Sequence, residues 1–222
     1  MSTSSIRLDG PERLPQGAVS RVVVLLHGYG ADGEDLIALA DELTDALPGT
    51  AFLSPHGPEP CEAAGFGRQW FGLAERTPAE FDRGTDGVAP VIDRWLDRVL
   101  ARFGLLPSAL ALVGFSQGAM LAMHVAVRRP SLLAGVVGFS GLLPAPGRLA
   151  AEIRTRPPML LIHGAADEVI PVAALDLAER SLKDVGVAVQ AVRRPGLGHG
   201  IDGAGLDQAR RFLRHAFALS DA

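Results

Sequence analysis

A single cysteine, Cys61, stands among the 222 residues, so no internal disulfide can form and no cysteine-based zinc site can be built. Stretches of membrane-spanning length are missing; the longest apolar runs are strand-sized. No block of like charge stands out and the net charge is −4, which argues against a basic surface for nucleic acid. Met1 to Arg7 lacks an apolar signal core, so the expected compartment is the cytoplasm and no stable membrane insertion is expected. Repeats and linkers are also lacking, and one domain over 1–222 is expected. What is present is the balance of a folded chain, 48% hydrophobic and 21% charged, with many turn formers in its 26 Gly and 16 Pro.

Along the chain, strand-like and helix-like segments alternate. The β-branched run Val22-Val23-Val24-Leu25-Leu26 reads as a strand buried on both faces, as in a parallel sheet. A helix follows with Leu36, Leu39, Ala40, Leu43, Ala46 and Leu47 apolar, ended by Pro48-Gly49. After a short strand at 50–53, residues 54–87 show no period, and a helix is expected over 88–103. Strands at 109–113, 135–139, 159–163 and 187–193 then alternate with helices at 117–128, 172–185 and 206–218. This order predicts an α/β fold in three layers: a mostly parallel central sheet, helices on both faces, and no separate cap domain. Sites in such sheets form at the carboxyl ends of the strands.

The sharpest local signal is Gly114-Phe115-Ser116-Gln117-Gly118, a G-x-S-x-G between a predicted strand and a predicted helix. A serine on so tight a turn needs neighbours without side chains, and the following helix aims free N–H groups at it. Gly138-Phe139-Ser140-Gly141 looks similar, but Leu142 and Pro144 follow, so no helix can begin there. Ser140 is read as structural, with Leu142 and Leu143 as pocket wall.

A serine hydroxyl needs a neighbouring base. Of six histidines, only His199 combines a sheet-edge loop, flanking glycines and a position late in the chain. The acid belongs between the serine and the histidine, and Asp167, after the strand at 159–163, is the candidate; Glu168 is the weaker one. Oxyanion donors are expected from the backbone N–H of Gln117 and of Tyr29 in the loop His27-Gly28-Tyr29-Gly30, with their side chains mattering less. Trp70 and Phe71, in the long irregular segment, are expected as walls of the acyl pocket; Phe66, Leu73 and Phe81 are read as pocket wall or dimer contacts.

With these residues in view, the chain resembles the phospholipase/carboxylesterase family of α/β hydrolases from about Val22 onward. Leu26-His27-Gly28-Tyr29-Gly30-Ala31-Asp32-Gly33 is similar to the family's L-H-G-x-G-D-x-G loop with one inserted residue. Arg68-Gln69-Trp70-Phe71 is similar to its tryptophan–phenylalanine segment, with Gly72 in place of the usual Asp. Gly114 to Gly118 matches G-F-S-Q-G, and His163-Gly164-Ala165-Ala166-Asp167-Glu168-Val169-Ile170-Pro171 resembles H-G-x-x-D-x-x-V-P. Gly198-His199 fits the segment carrying the family's histidine. The resemblance implies a Ser-His-Asp esterase with two backbone oxyanion donors and an open site, often in a homodimer. The expected substrate is a small acyl ester or thioester, with no metal and no cofactor required. The rival readings are a lysophospholipase or peptidase, a dienelactone hydrolase-like lactonase, and a catalytically silent binding module of the same fold.

Overall fold

The computed structural model describes residues 8–219; the polar start Met1 to Arg7 and the last three residues lie outside them. Seven strands form one sheet: β1 (Glu12–Arg13), β2 (Arg21–Leu26), β3 (Thr50–Leu53), β6 (Leu110–Phe115), β7 (Gly135–Phe139), β8 (Met159–Gly164) and β9 (Val189–Arg194). Their order is β1-β3-β2-β6-β7-β8-β9. β1 pairs antiparallel with β3 and every other pairing is parallel. β4 (Glu59–Pro60) and β5 (Arg68–Gln69) form a separate antiparallel pair inside the long irregular segment.

The alternation of strand side chains builds two cores. Val22, Val24 and Leu26 of β2, with Leu110 and Leu112 of β6, face one side. There they meet α3 (Pro78–Phe103), α4 (Gln117–Arg128) and α6 (Ala173–Asp184). Val23 and Leu25, with Ala111 and Val113, face the other side. There they meet α1 (Gly33–Ile37), α2 (Leu39–Leu43) and α7 (Gly203–Ala216). Each fully buried aliphatic side chain here is worth roughly 1.5–3 kcal/mol. The short helix α5 (Leu149–Glu152) leads into β8. The result is the three-layer α/β fold of the α/β hydrolases, with helices on both faces of a mostly parallel sheet.

Two helices depart from the sequence expectation. The helix expected over residues 36–47 starts earlier, at Gly33, and is broken at Ala38 into two five-residue pieces. Its start is set by Asp32, whose carboxylate accepts from the N–H of Glu34 while Asp35 reaches back to the N–H of Asp32. The helix expected over 88–103 begins ten residues earlier, at Pro78. Thr77 caps it by accepting from the N–H of Glu80, and Pro78 occupies the first turn, where its missing N–H costs nothing. Gly84 lies within this helix because the Phe71 ring packs there: a Cβ would sit 2.2 Å from that ring. α3 ends at Gly104, in the left-handed conformation at φ 64°.

Candidate active site

β6 lies in the middle of the sheet, and Ser116 stands where its carboxyl end turns into α4. Its backbone is strained, at φ 52° and ψ −114°. The turn closes only without side chains at its two glycines. A Cβ on Gly114 would lie 2.3 Å from the carbonyl oxygen of Gly118, and one on Gly118 would lie 1.9 Å from that of Leu26. The Ser116 N–H donates to Phe139 on the neighbouring strand at 2.9 Å.

Two further loops leave the same edge. Asp167 lies in the turn after β8 and His199 in the loop between β9 and α7. Backbone bonds zip these loops together: Ala165 N–H donates to Arg194 and Ala166 N–H to Leu197, each at 2.9 Å. Gly164 permits the approach, since a Cβ there would be 2.2 Å from the carbonyl oxygen of Gly198. The ends of the His199 loop are tied by the Arg194–Asp202 ion pair at 2.9 Å, and Asp202 also caps α7 through the N–H of Gly205 at 2.8 Å. The Arg194 guanidinium holds the Asp202 carboxyl below its ordinary value.

This folding brings Ser116, Asp167 and His199 together. His199 Nδ1–H donates to Asp167 Oδ2 at 2.8 Å, and Ser116 Oγ lies 3.0 Å from His199 Nε2. A carboxylate only accepts, so the proton rests on Nδ1 and leaves Nε2 to accept from the serine hydroxyl. Burial opposes ionisation of Asp167, but bonds from the N–H of Ile170, from His199 and from the N–H of Val169 outweigh it and hold the carboxyl below its ordinary value. Phe115 packs on the imidazole with ring centroids 5.0 Å apart. The other serine turn serves as an internal comparison. Ser140 has a similar backbone, φ 49°, and is buried, yet its hydroxyl meets no hydrogen-bond partner among the described residues.

The loop after β2 lies against Ser116: a Cβ on Gly28 would be 3.5 Å from the Ser116 Cβ. Two of its carbonyls are taken up by side-chain donors. His27 Nδ1–H donates to the Gly28 carbonyl at 2.7 Å, and Trp70 Nε1–H donates to the His27 carbonyl at 2.9 Å. His27 Nε2 accepts from the N–H of Gly57 at 2.8 Å, and burial lowers the imidazole's pKa, so this buried ring is neutral. Gly30 and Ala31 bond to Arg68 of β5 at 2.9 and 2.8 Å. Tyr29 and Gln117 retain backbone N–H groups that donate to no protein acceptor among the described residues. Burial, then Cys61 and Glu62, push the Tyr29 phenol up to about 12.

The four residues expected as pocket wall belong to one apolar cluster with α3 and α4. Trp70 and Phe71 are buried at 1% and 6% exposure, Leu143 is buried and Leu142 is partly buried. Trp70 and Phe71 also bond to the side chain of Gln117. Its Oε1 accepts the Trp70 N–H at 2.9 Å and its Nε2 donates to the Phe71 carbonyl at 2.8 Å. The sequence points to the Gln117 backbone more than to its side chain, yet its amide is a clamp. Leu73 and Phe81 are half-buried against the same cluster, while Phe66 is exposed. Arg68, the His27 ring and the Gln117 amide were not singled out from sequence. Their neighbourhood was marked only by the motifs around them.

A cavity of about 560 Å³ lies elsewhere, between β1, the end of β3 and α3. Its charged lining includes Arg102, which is paired with Glu12, and it holds no serine or cysteine bonded to a base. Among the described residues no group of three or more His, Cys, Asp or Glu side chains is placed to hold a metal ion. Among the same residues no helix is long and apolar enough to cross a membrane.

Comparison with known proteins agrees with this architecture. The model of the family described as Phospholipase/Carboxylesterase matches residues 13–217. The esterase YpfH of Escherichia coli K12 is 27% identical, over 90% of this chain and 85% of that protein. The crystal structure of esterase PE8 superposes with a TM-score of 0.92 at 42% identity, covering 95% of this chain and 100% of that one. The structure of Zea mays acyl-protein thioesterase 2 gives a TM-score of 0.75 at 26% identity, covering 94% and 99%. With the family matched across nearly the whole chain and an esterase superposing on it, this chain belongs to the phospholipase/carboxylesterase family and is an esterase-type hydrolase.

Proposed function

We propose that the chain hydrolyses small acyl esters, and acyl thioesters by the same chemistry, through a covalent acyl-enzyme on Ser116. The observation that carries this reading is the 3.0 Å contact between Ser116 Oγ and His199 Nε2, with Asp167 on the other ring nitrogen at 2.8 Å. His199 takes the hydroxyl proton as Ser116 Oγ attacks the acyl carbon, and Asp167 stabilises the imidazolium that forms. The backbone N–H groups of Tyr29 and Gln117 receive the oxyanion of the tetrahedral intermediate. His199 then protonates the departing alcohol or thiol. Water repeats the sequence on the acyl-enzyme and releases the acid. Leu142, Leu143 and Phe71 form the apolar wall for the acyl chain, and Trp70, with almost no free surface, backs that wall. Thioesters are included because the relatives are named for both activities and the acyl-transfer steps are shared.

Replacing Ser116 with alanine removes the nucleophile without adding bulk. Ser116→Ala should lower kcat by roughly three orders of magnitude or more with the melting transition little changed. A fluorophosphonate probe should label the parent protein and not this variant. Near-normal turnover in Ser116→Ala would sink the assignment. A chain-length series of nitrophenyl esters beside an acyl thioester defines which acyl group and which leaving group are preferred.

A further inference from the structure

Two imidazoles reach the Asp167 carboxylate. His163, near the end of β8, is buried at 1% exposure, and its Nε2 lies 2.8 Å from the Ile170 carbonyl oxygen and 3.2 Å from Asp167 Oδ2. Both neighbours are acceptors, so Nε2 carries the proton; the N–H donates to the Ile170 carbonyl, and Asp167 Oδ2 lies beside it in ion-pair contact with the same nitrogen. Oδ2 thus faces His163 Nε2–H and His199 Nδ1–H, while Oδ1 accepts the N–H groups of Val169 and Ile170 at 2.9 Å each.

We infer that His163 is a positioning residue for the hydrolytic reaction: its Nε2–H holds the Ile170 carbonyl, and with it the turn that carries Asp167, while its ring edge beside Oδ2 limits the basicity which that oxygen lends to His199. The inference rests on the reading of Ser116, Asp167 and His199 as the reacting set. His163 acts through Asp167, in two ways. The bonds to Oδ1 fix one edge of the carboxylate and leave it a tilt about that edge. His163, held on the Ile170 carbonyl with its ring edge against Oδ2, removes that tilt, so Oδ2 keeps its line to Nδ1 of His199. The positive edge of the His163 ring beside Oδ2 also offsets its negative charge, so the imidazolium of His199 gains less from it. The groups facing this carboxylate come from three places: His163 from β8, His199 from the β9–α7 loop, and the two N–H groups of its own turn. Among the described residues only the two imidazoles lie within ion-pair distance of it.

The test compares His163→Leu, which removes the donor at similar volume, with His163→Gln, whose amide N–H reaches the place of Nε2. With a nitrophenyl ester, His163→Leu should lower kcat about tenfold while KM stays within about twofold, and should raise the acidic limb of kcat/KM by about half a pH unit. His163→Gln should recover most of both effects. A folded His163→Leu protein with unchanged kcat and unchanged limb overturns the inference, as does a folded His163→Gln protein as impaired as His163→Leu. Should the leucine variant fail to fold, nitrogen NMR of the parent protein decides. A proton on Nε2 of His163 supports the inference, and a proton on Nδ1 with bare Nε2 overturns it. Activity surviving in Ser116→Ala would instead break the underlying reading, so the two failures are distinguishable.

Discussion

At Gln117 the backbone and the side chain serve different ends. The N–H opens α4 beside Ser116, whereas the amide, fully buried, bridges Trp70 and Phe71. A leucine would fill the space but leave a buried N–H and a buried carbonyl unpaired, each costing roughly 1–3 kcal/mol. Gln117→Leu is expected to lose about 2–4 kcal/mol in urea denaturation and to lower kcat as well, because the Trp70 indole holds the loop carrying Tyr29. An unchanged unfolding midpoint would show that water replaces both bonds. Ser140 makes the complementary point. It shares the positive φ of Ser116 but has no base at its hydroxyl, so the difference in chemistry between two similar turns comes from what the neighbouring loops deliver.

At the scale of elements, α3 sets helix propensity against packing. Alanine at position 84 would gain about 1 kcal/mol in helix propensity over glycine. Its Cβ would lie 2.2 Å from the buried Phe71 ring, and overpacking of that kind costs roughly 1–3 kcal/mol or more. Packing wins, and Gly84→Ala should lower the melting temperature; a raised melting temperature would mean that the ring moves freely.

The same helix explains where the sequence was hard to read. Gly84 and Gly87 mimic a loop, and the cap at Thr77 is visible only once Pro78 is taken as a helix start rather than a turn. The strands were legible because β2, β6 and β8 are buried on both faces and so are almost purely apolar. Ser116, Asp167 and His199 were legible as candidates because glycine spacing marks loops that approach one another closely. The Gln117 amide was not, because its partners Trp70 and Phe71 are remote in sequence; His163 was not, because a histidine at a strand end does not reveal that its ring turns back onto the loop of Asp167 and Ile170. Residues Gly57 and Arg68 show the same limit: one satisfies His27 and the other clamps the loop of Tyr29.

For the molecule as a whole, buried neutral imidazoles tie stability to pH. His124 lies at 2% exposure among Asp86, Arg128, Arg148 and Glu152, and burial, reinforced by Arg128, pushes it down to about 4. Between that value and the ordinary 6.5, the unfolded chain binds a proton that the folded protein refuses. Stability from this group is therefore complete above about pH 6.5 and falls as pH drops, by about 3 kcal/mol in all. Below about pH 4, loss of the lowered Asp167 and Asp202 carboxylates continues the decline. Urea titrations from pH 7 to 4 should show this slope, and His124→Gln should flatten it by about one proton. A slope that survives that substitution would assign it to other groups.

Ser116, Asp167 and His199 each follow a different strand of one sheet, β6, β8 and β9, and β7 separates the first from the second. No local stretch of chain contains the site, and its members come within reach only when β6, β7, β8 and β9 have paired. Recovery of esterase turnover during refolding therefore requires the pairing of these four strands, a long-range and topologically costly step, rather than early collapse or helix formation alone.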